Sequence, residues 1–252
     1  MTTARNFAES FAPFTPTVIE RQVAGESCQF YLGNVVGKRW YGRPADACEE
    51  MRFIRGNLVK PGSVVLECGA HHGAHTILLS KWVGDQGKVI AVEPMPENAA
   101  IIRRNIELNG LTNVTLVEKM VGAHSARHTM VHKSNATVTN KSRGNTIEID
   151  GTTIDALARE FGTPSLITVD VEGFEYQVLE GGRTTLATNP ALCVEVHTVR
   201  LSHYGKTFTD IWNVIDPSRY DLFIQKDDDQ APVASSHDSV PKDRVLLFFR
   251  PR

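Results

Sequence analysis

The strongest constraint on this chain is an alternation that begins near residue 61. Short, apolar, largely β-branched runs are separated by stretches with helical spacing. Val64–Cys68, Lys88–Glu93, Val114–Glu118, Leu166–Asp170, Ala191–His197, Tyr220–Gln225 and Val245–Phe249 read as strands. Runs this apolar suit strands covered on both faces. Thr76–Val83, stopped by Gly84, and Pro96–Asn109, stopped by Gly110, read as helices. Pro96 fits a first turn, and Ile101, Ile102, Ile106 and Leu108 form the apolar stripe. Thr152-Thr153-Ile154-Asp155 reads as a capping box opening a helix through Phe161. Strands joined by helices imply right-handed crossovers, so the expectation is an α/β, Rossmann-like, mainly parallel sheet with helices on both faces. The last strand follows its predecessor without a helix and is expected to run antiparallel.

Around this frame the sequence is less regular. Phe30-Tyr31-Leu32-Gly33 and Arg39-Trp40-Tyr41-Gly42 read as short strands or turns, Ala45–Leu58 as a helix, and Lys60-Pro61-Gly62 as a break. Residues 1–60 are therefore expected to form an N-terminal cap over a substrate, and residues 61–252 the main domain. Thr129-Met130-Val131 and Thr146–Ile149, around the polar loop Lys141–Asn145, read as an inserted hairpin or edge strands. Asp227 to Lys242 reads as a polar, mobile hairpin loop.

The chain has 252 residues, of which 41% are hydrophobic and 22% charged, enough to build a core. Lys+Arg total 27 and Asp+Glu 29, a net charge of −2, so no basic excess points to nucleic acid. Apolar runs stay far below the ~20 residues of a membrane span, and Met1–Phe7 shows no secretory signal. Cys28, Cys48, Cys68 and Cys193 form no C-x-x-C pair and read as reduced thiols of a cytoplasmic protein. The partner expected is a small molecule, with neither a membrane nor nucleic acid; whether the chain forms a homo-oligomer stays open.

In sheets of this type ligands sit beyond the carboxyl ends of the strands. The first strand ends in Glu67-Cys68-Gly69-Ala70-His71-His72-Gly73 and runs into a helix. Glycine permits a tight turn and close ligand approach. This is a loose relative of the dinucleotide fingerprint G-x-G-x-x-G, with Glu67 in place of its first glycine. An acid there repels a pyrophosphate and suits a ligand carrying ammonium and sulfonium groups. Glu93, about 20 residues on, stands where an acid accepts ribose hydroxyls.

These residues resemble a family. The glycine turn, Ala91-Val92-Glu93-Pro94-Met95-Pro96-Glu97-Asn98, Asn105–Leu111, Asn113-Val114, Ile167–Glu175 with Val178–Gly181, and Glu195-Val196-His197 are similar to the FkbM family of S-adenosylmethionine-dependent methyltransferases. The likeness runs over roughly residues 49–225. It implies the seven-stranded methyltransferase sheet with its last strand antiparallel, and O-methylation of hydroxyls on small metabolites or sugars. It further implies that Glu67, Gly69, Ala70, His71 and Gly73 wrap the methionine moiety. Glu93 and Pro94 would flank the ribose, and the loop after Glu118 would border the adenine. Glu67 stands where the family commonly has Asp, and His71-His72 where it has Asn and a small residue.

Asp170-Val171-Glu172-Gly173-Phe174-Glu175 ends the fourth strand. Asp170, also a cofactor contact, and Glu172 are expected to bracket the reacting groups. Glu175 reads as an acid favoured by a helix N-terminus. Glu195 and His197, two apart on a strand, share a face, and His197 is the expected general base. Asp170, Glu172, Glu195 and His197 could instead hold a divalent cation. His71, His72 and His75 lack zinc spacing, and Trp40, Tyr41, Arg43 and Tyr204 read mainly as packing. The alternatives are an NAD-dependent oxidoreductase and a non-catalytic cofactor-binding subunit.

Overall fold

The structure, a computed structural model, describes residues 12–42, 48–139, 145–236 and 244–252. Its elements in chain order are β1 (Thr17–Val23), β2 (Glu26–Leu32), α1 (Val35–Tyr41), α2 (Glu49–Asn57), β3 (Val64–Cys68), α3 (Ala74–Val83), β4 (Lys88–Val92), α4 (Pro96–Leu108), β5 (Val114–Val117), β6 (Met120–Val121), β7 (Arg127–Val131), β8 (Thr137–Val138) and β9 (Thr146–Thr152). Then follow α5 (Ile154–Phe161), β10 (Leu166–Val169), α6 (Glu175–Glu180), α7 (Arg183–Leu186), β11 (Ala191–His197), α8 (Thr198–Leu201), β12 (Tyr220–Gln225), β13 (Val233–Ala234) and β14 (Arg244–Pro251).

The main sheet runs β13-β12-β14-β11-β10-β3-β4-β5. The block β11-β10-β3-β4-β5 is parallel throughout. The last strand, β14, lies antiparallel between β11 and β12. The sheet is thus mixed and has eight strands, which corrects the expectation of seven. The added strand is the two-residue β13, paired with β12 from within the tract read as a loop. Residues 237–242 of that tract lie outside the described residues. A period-2 signal cannot register in two residues, so this edge strand had no sequence signature.

Two apolar layers cover the faces. One packs Leu66, Ile167, Val194 and Phe249 against Ile154, Leu179 and Ile211. The other packs Val65, Val89, Cys193 and Phe248 against Leu78, Met51 and the hairpin residues Cys28 and Phe30. Buried side chains on both faces explain why these strands read as continuous apolar runs.

Three further expectations change. Residues 39–41 belong to α1, a helix capped by the Asn34 side chain, which accepts from the Gly37 N–H at 2.8 Å. The expected helix Ala45–Leu58 begins at Glu49, with Cys48 as its non-helical N-cap; residues 43–47 lie outside the described residues. Thr153 rather than Thr152 caps α5, accepting from the Ala156 N–H at 3.0 Å. Asp155 instead accepts from the Thr184 and Thr185 N–H groups at the start of α7. The inserted region forms its own sheet, β6-β9-β7-β8, in which β7 and β9 pair antiparallel; residues 140–144 of its polar loop lie outside the described residues.

The β1-β2 hairpin is held to α4 by asparagines. The Asn105 side chain accepts from the Tyr31 N–H at 2.6 Å and donates to the His72 carbonyl at 2.8 Å. Asn109 does the same with the Gln29 N–H and carbonyl. These bonds bring α1, which follows the hairpin, to the carboxyl edge of the sheet.

Candidate active site

Four adjacent strands, β4, β3, β10 and β11, carry an acid at or just beyond their carboxyl ends: Glu93, Glu67, Asp170 and Glu195. Two neighbouring spaces lie above them. One, of about 90 Å³, is bounded by Glu93, Pro94, Met120, Val121, Asn135 and Phe174. The other, of about 290 Å³, reaches from Glu67 and His75 to Glu195 and Arg244. Trp40, Tyr41, Gly69, His71 and Asp170 line both, so these residues stand at the junction.

The glycine turn is shaped by close approach. Gly69 has φ +95°, and a Cβ there would lie 1.9 Å from the Asp170 carbonyl oxygen. The turn between β3 and α3 can therefore pass over the end of β10 only with glycine. The Gly69 and Ala70 N–H groups both donate to the Val92 carbonyl at 3.0 Å. Gly73, at φ +79°, precedes α3. His71 is also left-handed, at φ +51°, a conformation few non-glycine residues adopt.

Glu67 is buried and accepts from the Thr76 hydroxyl at 2.6 Å. Burial pushes its carboxyl up, and the Thr76 bond only partly opposes this. Glu93 is also buried, with three donors around it: the His71 N–H at 2.9 Å, the Met95 N–H at 2.9 Å and the Asn98 amide at 3.0 Å. Burial outweighs these bonds and pushes its carboxyl up to about 7.

The histidine pair forms a wall. The rings of His71 and His72 stack at 4.0 Å, only 6° from parallel. His71 is pinned on both nitrogens, with the Tyr41 hydroxyl 2.7 Å from Nδ1 and the Ser134 hydroxyl 2.7 Å from Nε2. Burial, then the His72 ring, holds His71 well below the ordinary imidazole value. Burial lowers His72 to about 4. His75 points elsewhere, 3.9 Å from Glu50. The three histidines do not converge on a common point.

On the opposite side lies His197. Its Nδ1 is 2.8 Å from Oε1 of the fully buried Glu175. A carboxylate accepts only, so Nδ1 carries the proton. Nε2 stands 3.4 Å from Glu195 and 3.6 Å from Glu172. Burial works to lower His197, but the bond and charge of Glu175 and the charges of Asp170 and Glu195 prevail, and its pKa is raised. Asp170 opens onto the cleft yet sits deep among protein atoms. Burial, then the like charge of Glu195, pushes its carboxyl well above the ordinary range. Glu195 is held by Arg244 at 2.9 Å, and Glu172 pairs with Arg200 and Asn135.

The expected site residues thus gather at one end of the sheet: Glu67, Gly69, Ala70, His71, Glu93, Pro94, Asp170, Glu172 and Glu195 line the two spaces, while Gly73 and His197 line neither. Ligand atoms of Asp170, Glu195 and His197, two carboxylates and one imidazole, come within 4.8 Å of one another. Glu172 is outside this set, turned to Arg200 at a left-handed φ of +57°. Arg244 already compensates Glu195.

Glu175 does open α6, as its reading as a helix-start acid expected, and is in addition the partner of His197. Its complete burial, invisible in a local motif, is the signal that separates the two roles. Arg244 and Ser134 also escaped the sequence reading, because each reaches the cleft from a distant segment. Tyr204 packs edge-on to Phe174 at 5.0 Å and donates to the Val138 carbonyl. Arg43 lies outside the described residues. All four cysteines are free thiols, and among the described residues no helix is long and apolar enough to cross a membrane.

Comparison with known proteins adds three findings. The sequence profile of the methyltransferase FkbM domain matches residues 67–222, more than half the chain. A protein-L-isoaspartate O-methyltransferase of Methanococcoides burtonii is 36% identical over 59 residues, 23% of this chain and 29% of that protein. One from Aeropyrum pernix is 43% identical over 63 residues, 25% of this chain and 24% of that protein. The chain spans less than a third of the length of these curated relatives. A solved structure from Clostridium thermocellum, named as an rRNA methylase, overlays with TM-score 0.51 at 11% identity, covering 81% of this chain and 96% of that one. That likeness bears on fold alone.

Proposed function

The chain belongs to the methyltransferase family marked by the FkbM domain, and from that premise we propose that it is an S-adenosylmethionine-dependent O-methyltransferase. Its acceptor is a hydroxyl of a small metabolite or sugar-containing molecule, and its products are S-adenosylhomocysteine and a methyl ether. One observation carries the reading: acids end four neighbouring strands around one cleft. Such a cradle suits an ammonium and a sulfonium and repels the pyrophosphate of a nicotinamide dinucleotide.

Glu93 accepts the ribose hydroxyls, beside Pro94. Glu67, Gly69, Ala70, His71 and Gly73 wrap the amino-acid end, and Asp170 holds its ammonium. The bound donor supplies an activated methyl carbon that an oxygen attacks in line as the carbon–sulfur bond breaks. The protein aligns the acceptor and keeps water out. His197 takes the acceptor proton on Nε2, and Glu175 holds the ring and stabilises the imidazolium. Asp170, Glu172 and Glu195 orient the acceptor, and the N-terminal segment covers the site through Trp40 and Tyr41. Arg244 on Glu195 and Arg200 on Glu172 compensate two of the acids around the base without a cation, and a chelator is expected to leave turnover intact.

The test is calorimetry and melting. S-adenosylhomocysteine raises the melting temperature and NAD does not. Glu93→Ala weakens S-adenosylhomocysteine binding by about 1–3 kcal/mol, the scale of hydrogen bonds to a charged group. Stabilisation by NAD, or unchanged affinity in the variant, overturns the assignment.

A further inference from the structure

We propose that Arg21, on the N-terminal hairpin, anchors the carboxylate at the amino-acid end of the methyl donor. The proposal rests on the cofactor reading above and concerns a residue outside the family match at 67–222.

The argument begins with charge. The larger space is lined by five acids, Glu50, Glu67, Asp170, Glu195 and Asp228. Two of the donor's formal charges are positive and suit that wall. The third is a carboxylate, and acids alone leave it facing like charge, so one end of the space must supply a cation. Arg21 and Arg244 are the arginines lining it. Arg244 is taken by Glu195 and Asp228. Arg21 pairs with no acid among the described residues. One of its amino groups donates to the Gly42 carbonyl at 3.2 Å, while its Nε is closed off from solvent without a hydrogen-bond partner. A shielded donor of this kind costs free energy until an acceptor reaches it, and a guanidinium matches a carboxylate in bidentate geometry. Ala74 and His75, in the first turn of α3, line the same space. No side chain caps that helix start, which adds a field favourable to an anion.

The experiment compares three ligands by calorimetry on the wild-type chain and on Arg21→Met. S-adenosylhomocysteine carries the carboxylate, decarboxylated S-adenosylmethionine is the methyl donor without it, and 5′-methylthioadenosine lacks the whole amino-acid end. Arg21→Met is expected to weaken S-adenosylhomocysteine about 10- to 100-fold, the range of a charge-assisted bond. The other two ligands are expected to bind both proteins alike, which also reports that the variant is folded. Arg21→Lys should recover part of the loss. Unchanged S-adenosylhomocysteine affinity in Arg21→Met, or an equal loss for all three ligands, overturns the role of Arg21. Failure of every ligand to bind the wild-type chain overturns the cofactor reading instead.

Discussion

A carboxylate with no exposure to water beside a largely buried imidazole is the residue pair on which the proposed chemistry turns. Glu175 bonds both the Gly173 N–H and His197 Nδ1 through Oε1, so it fixes the backbone of the turn and the tautomer of the ring together. His197→Ala is expected to cut turnover by ~10²–10⁴, the usual share of a general base, while S-adenosylhomocysteine binding stays as it was. The raised pKa of His197 sets the sign of the pH dependence. The neutral ring is the base, so the rate falls as pH drops through a value above the ordinary 6.5. Glu175→Gln removes the charge that raises the ring and should move that limb to lower pH as well as slowing the reaction. A limb that stays in place in the Gln variant detaches Glu175 from His197. At Gly69, a β-carbon has no room beside Asp170. Gly69→Ala should therefore lower stability by about 1–3 kcal/mol or more, from the strain of its backbone alone, and should abolish cofactor-induced melting shifts.

At the scale of elements, the sequence disclosed what repeats locally and hid what pairs at a distance. The strand–helix alternation, the glycine turn and the acids at strand ends were legible because each occupies a window of a few residues. Helix α1 was not, since Arg39-Trp40-Tyr41 holds too few positions to show a period and its cap, Asn34, lies before the aromatic pair. The small sheet was read only as a hairpin or edge, because the β6–β9 contact joins segments some thirty residues apart. The meeting of Glu175 with His197 and of Arg244 with Glu195 depends on strand order, which no single window contains. The asparagine clasp on α4 had the same character: a family-like motif whose use appears only in the fold. Asn105 is 2% exposed and bonds two backbone groups from separate segments. Asn105→Ala is expected to destabilise the chain by about 1–3 kcal/mol for the groups left unpaired, measured by urea unfolding. It should also weaken cofactor binding, because the hairpin and α1 lose their seat. A variant as stable as the parent would show that the hairpin is held by its apolar face alone.

Across the whole molecule, the cleft concentrates like charge and so works against the fold that forms it. Burial raises the carboxyls of Glu67, Glu93 and Asp170, Glu93 to about 7. A group whose folded value lies above its unfolded one favours the folded state while protonated. That contribution is complete below the ordinary carboxyl range and is lost as pH rises towards about 7. The melting temperature of the empty protein should thus decline over that window, where S-adenosylmethionine, bearing positive charge, should stabilise progressively more. A cofactor-induced shift of equal size at both ends of the window would count against the acidic cradle.

The place of β14 has its own consequence for synthesis. Residues 244–251 fill the gap between β11 and β12, so β12 leaves the ribosome with its eventual neighbour still unmade. Until that neighbour arrives, Tyr220, Leu222 and Ile224 offer a sticky ribbon to other nascent chains. A stop codon just before Arg244 would make that waiting state permanent, and the product should collect in inclusion bodies although every acid, glycine and histidine of the cleft is still encoded.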